Sequence, residues 1–179
     1  MEQAFNDQVR PKLDAIHRIR PYLKDENVEL PAIVVVGDQS AGKTSLLESL
    51  SRVNLPRGEE IVTRCPLQLQ LRQGKQHASI RYDNPQNPEK AYIKEDIALE
   101  RIAEEVRDAT NILCGKEANI KNLLITLQVS RPDAPTLTLI DLPGIVRVRT
   151  GDQPDDIEDQ VEKLILHHAA GLLSSMYDV

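Results

Sequence analysis

The sequence predicts an α/β fold, a mixed and mostly parallel sheet flanked by helices, on three observations. Apolar runs with strand character alternate along the chain with stretches of helical periodicity. The 179 residues are 40% hydrophobic, which suits one domain with a respectable core. The stretch "VVVGDQSAGKTSLLESL", residues 34–50, runs β-branched residues through a glycine-flanked loop into a helical pattern.

Taken in order, residues 4–23 place Phe5, Val9, Leu13, Ile16 and Leu23 near one helical face, with Arg20 interrupting the stripe. Pro11 and Pro21 disfavour helix immediately before them, so one amphipathic helix is expected from about Pro11. Its polar face mixes acids and bases, which favours docking on other helices over a membrane surface. Residues 1–30 are assigned to this helical segment and 31–179 to the α/β domain. Pro31 opens a strand, Ala32 to Val36, whose unbroken apolar character predicts burial on both faces. A helix is expected from Lys43 to about Val53.

Leu67, Leu69 and Leu71 alternate with polar residues as in a half-buried strand, and "ASIRYD" is expected to pair with it across the "QGKQ" turn. Leu99, Ile102, Ala103, Val106 and Leu113 recur at helical spacing from Asp96 to Cys114, with Gly115 as the stop. Leu123, Ile125, Leu127 and Val129 form another alternating strand, which reaches the turn "RPDAP" and then the apolar strand "TLTLID". Asp155 to about Ala170 reads as a helix with an acidic first turn.

A formal net charge of −6 and a pI near 5.3 argue against nucleic acid as a partner and against general attraction to anionic membrane. An anionic ligand must therefore be held locally. Cys65 and Cys114 are far apart in sequence with no C-x-x-C spacing, and no basic start leads into an apolar stretch. A reducing, cytoplasmic compartment is the expectation. His167-His168 has no ligand partners at metal-binding spacing and reads as a solvated helix end, and Arg147 and Arg149 read as solvated loop residues.

Gly37, Gly42, Lys43 and Thr44 satisfy G-x-x-x-x-G-K-[ST] between an expected strand and an expected helix. The glycines let backbone amides wrap the phosphates of a nucleoside triphosphate, and the helix dipole adds positive potential. The candidate nucleotide-binding loop comprises Gly37, Asp38, Gln39, Ser40, Ala41, Gly42, Lys43, Thr44 and Ser45. Lys43 is expected to reach the β- and γ-phosphates, and the Thr44 hydroxyl to coordinate Mg²⁺. Downstream, "LTLIDLPG" ends an apolar strand in Asp141, the candidate second Mg²⁺ contact. Asp141, Leu142, Pro143 and Gly144 take the D-x-x-G form of GTPases, whereas ATPases of this class usually place glutamate directly after the aspartate. Alone that pattern is weak; paired with the loop it is strong.

Three segments, "GDQSAGKTSLLESL", "LPRG..IVTRCP" and "LTLIDLPGI", together resemble the dynamin superfamily of large GTPases, most nearly its interferon-induced Mx branch. "VRPKLDAI" and "GDQPDDIEDQVEKLI" are similar to Mx segments in the same order, so the resemblance covers nearly the whole chain to about His168. It implies a dynamin-type G domain, self-assembly, and Mg²⁺-dependent hydrolysis of GTP to GDP in antiviral defence or membrane remodelling. Implied partners are GTP and GDP, a second G domain from itself or a full-length relative, and, by analogy, microtubules or membrane. By position Thr63 resembles the switch I threonine that binds Mg²⁺ and the γ-phosphate. Gln39 and Ser40 resemble the pair that positions water and a charge-compensating monovalent cation in place of an arginine finger. The N-terminal helix resembles the first helix of the family's bundle.

The chain departs from the family pattern in two places. Glu59 and Glu60 stand where the signature has a small polar residue and a glycine. A glutamate that must take positive φ costs roughly 1 kcal/mol and adds negative charge, so slow hydrolysis is expected. The N/T-K-x-D motif that selects guanine is not found downstream of Gly144, and "KED" at 94–96 reads as a solvated helix cap. The sequence is therefore expected to be a partial G domain with an uncovered sheet edge beside Ala32–Val36. Three readings stand: a GTPase, a binding-only form acting on full-length relatives, and a P-loop ATPase.

Overall fold

In a computed structural model, residues 32–177 are described, apart from 39–40, 58–62, 86, 116–119, 146–153 and 155. The expected N-terminal helix, Gln39, Ser40, Glu59, Glu60, Arg147 and Arg149 lie outside the described residues.

Six strands form one mixed sheet: β1 (Ala32–Val35), β2 (Leu67–Gln73), β3 (His77–Asn84), β4 (Asn87–Lys94), β5 (Ile125–Arg131) and β6 (Leu137–Asp141). Their spatial order is β1-β6-β2-β5-β3-β4. β1 with β6 and β2 with β5 run parallel, and the remaining neighbours run antiparallel. Among the described residues three helices flank the sheet: α1 (Lys43–Ser51), α2 (Ile102–Cys114) and α3 (Ile157–Tyr177). No helix among the described residues is long and apolar enough to cross a membrane.

The alternation of Leu67, Leu69 and Leu71 is matched in register by Ile125, Leu127 and Val129, and all six are buried. With Leu137 and Leu139 they build a continuous apolar face beneath α1 and α2. Onto it α2 turns Ile102, Val106, Ala109 and Leu113, while α1 contributes Leu47. At the opposite face Ile140 and Leu142 pack against Leu164 of α3, with Ala32 and Val34 beside them.

Several expectations are corrected. β2 and β3 are not a hairpin, because β5 lies between them and pairs with both. Its three deeply buried apolar side chains gain more between two strands than at an edge. β4 was hidden by Pro85 and Pro88, which punctuate "NPQNPEKAYIK"; it is an edge strand, where proline is tolerated. Tyr82 and Tyr92 stack across the β3–β4 pair with ring centroids 4.8 Å apart. Lys94 accordingly ends β4 and pairs with Glu105 at 2.6 Å, whereas Glu95 and Asp96 bracket His77, so "KED" caps no helix. The helix expected from Asp96 starts with a 3₁₀ turn at Leu99–Arg101.

β1 is not buried on both faces: Ile33 is 45% and Val36 44% exposed. Among the described residues it is an edge strand, as expected from the sequence, hydrogen-bonded within the sheet to β6 alone. His167 and His168 lie within α3, which continues to Tyr177, and His168 contacts Asn122 at 3.3 Å instead of marking a helix end.

Candidate functional site

β1 delivers the chain into the loop and α1 leaves it. Gly42 takes φ +88°, the left-handed conformation that glycine adopts without a Cβ penalty, and its carbonyl accepts the Leu46 amide at 3.0 Å. The Ala41 amide donates to the Asp38 carbonyl at 3.1 Å, tightening the turn. Gly42→Ala is expected to cost about 1 kcal/mol in urea unfolding, through backbone strain, since open space surrounds its Cβ position. The Lys43 ammonium folds back over the loop and donates to the Gly37 and Asp38 carbonyls, each at 3.0 Å.

The D-x-x-G segment is tied to this loop by backbone. Val35 stands in register with Asp141, the Ile145 amide donates to the Gly37 carbonyl at 3.1 Å, and Asp38 bridges Ile145. Leu142 and Pro143 are buried and Gly144 is half-buried, so the segment is fixed at its base. The parallel β1–β6 pair thus brings together two motifs that are remote in sequence, at the carboxyl ends of both strands.

Asp141 is 3% exposed, and its Oδ1 has no hydrogen-bond partner among the described residues. Burial pushes its carboxyl from 3.8 up to about 6, against the opposing pull of the Lys43 charge and of a Thr63 hydrogen bond. The Thr63 hydroxyl donates to Asp141 Oδ2 at 3.4 Å, and Thr44, Thr63 and Asp141 line one cavity. An orphaned buried carboxylate oxygen beside two hydroxyls is a hard-oxygen donor set that fits Mg²⁺. Among the described residues no cluster of three or more His, Cys, Asp and Glu could hold a metal.

Sequence reasoning passed over two anchors that stand before and after Thr63 in the chain. Arg57 pairs with Glu48 of α1, whose other carboxylate oxygen accepts the Leu55 amide at 2.9 Å. The Arg57 hydrogen bond holds the Glu48 carboxyl below its usual value. Beyond Thr63, Arg64 donates to Asn111 Oδ1 at 2.6 Å and to the Gly115 carbonyl at 2.8 Å, clasping the end of α2. Arg57 and Arg64 both stand inside "LPRG..IVTRCP", but nothing in one sequence names their acceptors.

The sequence profile of the Dynamin family matches residues 33–177. The chain belongs to the dynamin family. Within it, this dynamin-family chain is 45% identical over 164 residues to interferon-induced GTP-binding protein Mx1 of Rattus norvegicus, covering 92% of itself and 25% of that protein. It is 43% identical over 169 residues to interferon-induced GTP-binding protein Mx of Perca fluviatilis, covering 92% of itself and 54% of the relative. Against interferon-induced GTP-binding protein Mx2 of Canis lupus familiaris the identity is 41% over 173 residues, with 22% of that protein spanned. The chain thus spans from about a fifth to about half of these curated relatives. The match to the dynamin family and to Mx proteins bears out the resemblance read from the sequence.

Proposed function

We propose that this chain binds GTP with Mg²⁺ and hydrolyses it to GDP as part of a dynamin-type G domain. The observation that carries the reading is the joining of the Gly37–Thr44 loop to the Asp141 strand end, with Thr44, Thr63 and Asp141 on one cavity. The D-x-x-G form and the GTP-binding relatives favour guanine over the ATPase reading.

Lys43 would exchange the Gly37 and Asp38 carbonyls for β- and γ-phosphate oxygens, a charge-assisted gain over neutral acceptors. Thr44, Thr63 and Asp141 would hold Mg²⁺, which when bound neutralises charge on the phosphates. Gln39 and Ser40 would orient water, with a monovalent cation in place of an arginine finger. Glu59 and Glu60, in place of a small residue and glycine, favour a second reading within the same site, nucleotide binding with slow turnover. Self-association through the G domain, with itself or a longer relative, and a cytoplasmic location complete the proposal.

Titration with a fluorescent GTP analogue tests it. GTP and GDP are expected to displace the analogue, with little preference over ATP in this chain, since the N/T-K-x-D motif that selects guanine is not found in it. No displacement by GTP and GDP overturns the proposal, and displacement by ATP alone overturns it in favour of the ATPase reading. Thr63→Ala is expected to lower Mg²⁺-dependent triphosphate affinity about tenfold while leaving diphosphate affinity within about twofold. Equal losses for both nucleotides would remove Thr63 from γ-phosphate sensing.

A further inference from the structure

We propose that Cys65 and Cys114 form a reversible dithiol–disulfide site that takes a peroxide as oxidant and fixes the Thr63 segment to the end of α2. The fold brings these sequence-remote residues together: both are free and buried in the same apolar cluster. The Cys114 thiol also donates to the Arg64 carbonyl at 3.5 Å, which places it against the peptide preceding Cys65. The backbone on each side is already clamped. Arg64 bonds Asn111 and Gly115, the Lys121 amide donates to the Arg64 carbonyl at 3.0 Å, and Lys121 Nζ donates to the Leu113 carbonyl at 3.1 Å. A pair held this way closes a bridge with little further ordering.

Access runs through the nucleotide site, because Cys65 lines the same cavity as Thr44, Thr63 and Asp141. A small peroxide fits where larger oxidants do not, and a bound triphosphate would obstruct the path. Cys65 stands on the cavity wall and so meets the peroxide first. Its sulfur attacks one peroxide oxygen, the O–O bond breaks, and the departing hydroxide takes the Cys65 proton and leaves as water, leaving a sulfenic acid. The Cys114 sulfur, beside the positive charges of Arg64 and Lys121, then displaces hydroxide from that sulfenic acid, which leaves as a second water with the Cys114 proton. The dithiol loses two electrons, and one peroxide is reduced to two waters. Coupling to nucleotide rests on the function proposed above, since Thr63 is two residues from the bridge.

The test treats the intact chain, freed of reductant, with a slight excess of hydrogen peroxide, counts free thiols after denaturation and maps the cysteine peptides by mass. The chain has two cysteines, and both thiols are expected to disappear into one intramolecular Cys65–Cys114 peptide that dithiothreitol restores. Phenylarsine oxide, which bridges neighbouring thiols, is expected to bind the unoxidised chain one to one and to block both; this second measurement needs no variant. Two retained thiols, sulfinic acid on either cysteine, an intermolecular disulfide or no arsenical adduct would overturn the site. Mg²⁺ with GTP is expected to slow bridge formation about tenfold, and the bridged chain to bind the fluorescent analogue about tenfold more weakly. If the reduced chain binds no nucleotide while the bridge forms, the proposed function fails and the dithiol site stands. If both forms bind alike, the coupling to the Thr63 segment is refuted.

Discussion

Lys43→Ala is expected to lower affinity for a fluorescent triphosphate analogue at least about a hundredfold, a loss of roughly 3 kcal/mol. The ammonium reaches into the loop between the Gly37 and Asp38 carbonyls, where phosphate oxygens would take their place. Removing it leaves backbone amides and the α1 dipole to face several negative charges, and neither carries a full positive charge. Lys43 is only half-buried and bears no core packing, so the variant should unfold in urea close to the parent. Affinity within about threefold of the parent would dissociate the loop from phosphate binding, however well the motif fits.

Asp141→Asn is expected to stabilise the ligand-free chain while removing the Mg²⁺-dependent part of triphosphate binding. The folded-state value of about 6 lies above the ordinary 3.8, so the folded chain binds more protons than the unfolded chain between those values. Stability therefore falls as pH rises from about 4 to 6, and the deficit is fully present above that window. A shift of about two units corresponds to about 3 kcal/mol, which the neutral amide avoids. The variant's advantage in urea unfolding should be largest at pH 7.5 and should vanish near pH 4, where both forms are neutral. An advantage independent of pH would exclude carboxylate burial as its source. Mg²⁺ needs the ionised carboxylate, so metal affinity of the parent should fall as pH drops through about 6. This trade of stability for a charged, orphaned oxygen is typical of functional positions.

Local signals in the sequence were reliable where a single periodicity or turn residue governed the outcome. The α1 start at Lys43, the α2 end before Gly115 and the strand ending at Asp141 all lie where the pattern put them. Failures came where the outcome depended on what lay opposite. Nothing in "PLQLQLR" or "ASIRYD" forbids a hairpin; β5 separates them because its apolar side chains are buried best between two neighbours. Likewise "AIVV" has the composition of a fully buried strand, yet its exposure follows from its place at the sheet edge.

The candidate site divides along the same line. The sequence by itself determined the loop chemistry, the D-x-x-G form and the dynamin resemblance, because each rests on residue types at fixed short spacing. Tertiary structure alone decided that Thr63 meets Asp141 and that one Asp141 oxygen is left without a partner among the described residues. It also decided that Arg57 pairs with Glu48 of α1, and that Cys65 and Cys114, dismissed by their spacing, share one buried apolar cluster. Contacts between distant segments depend on how loop-closure entropy is offset by burial across the whole sheet, a sum that no local spacing encodes.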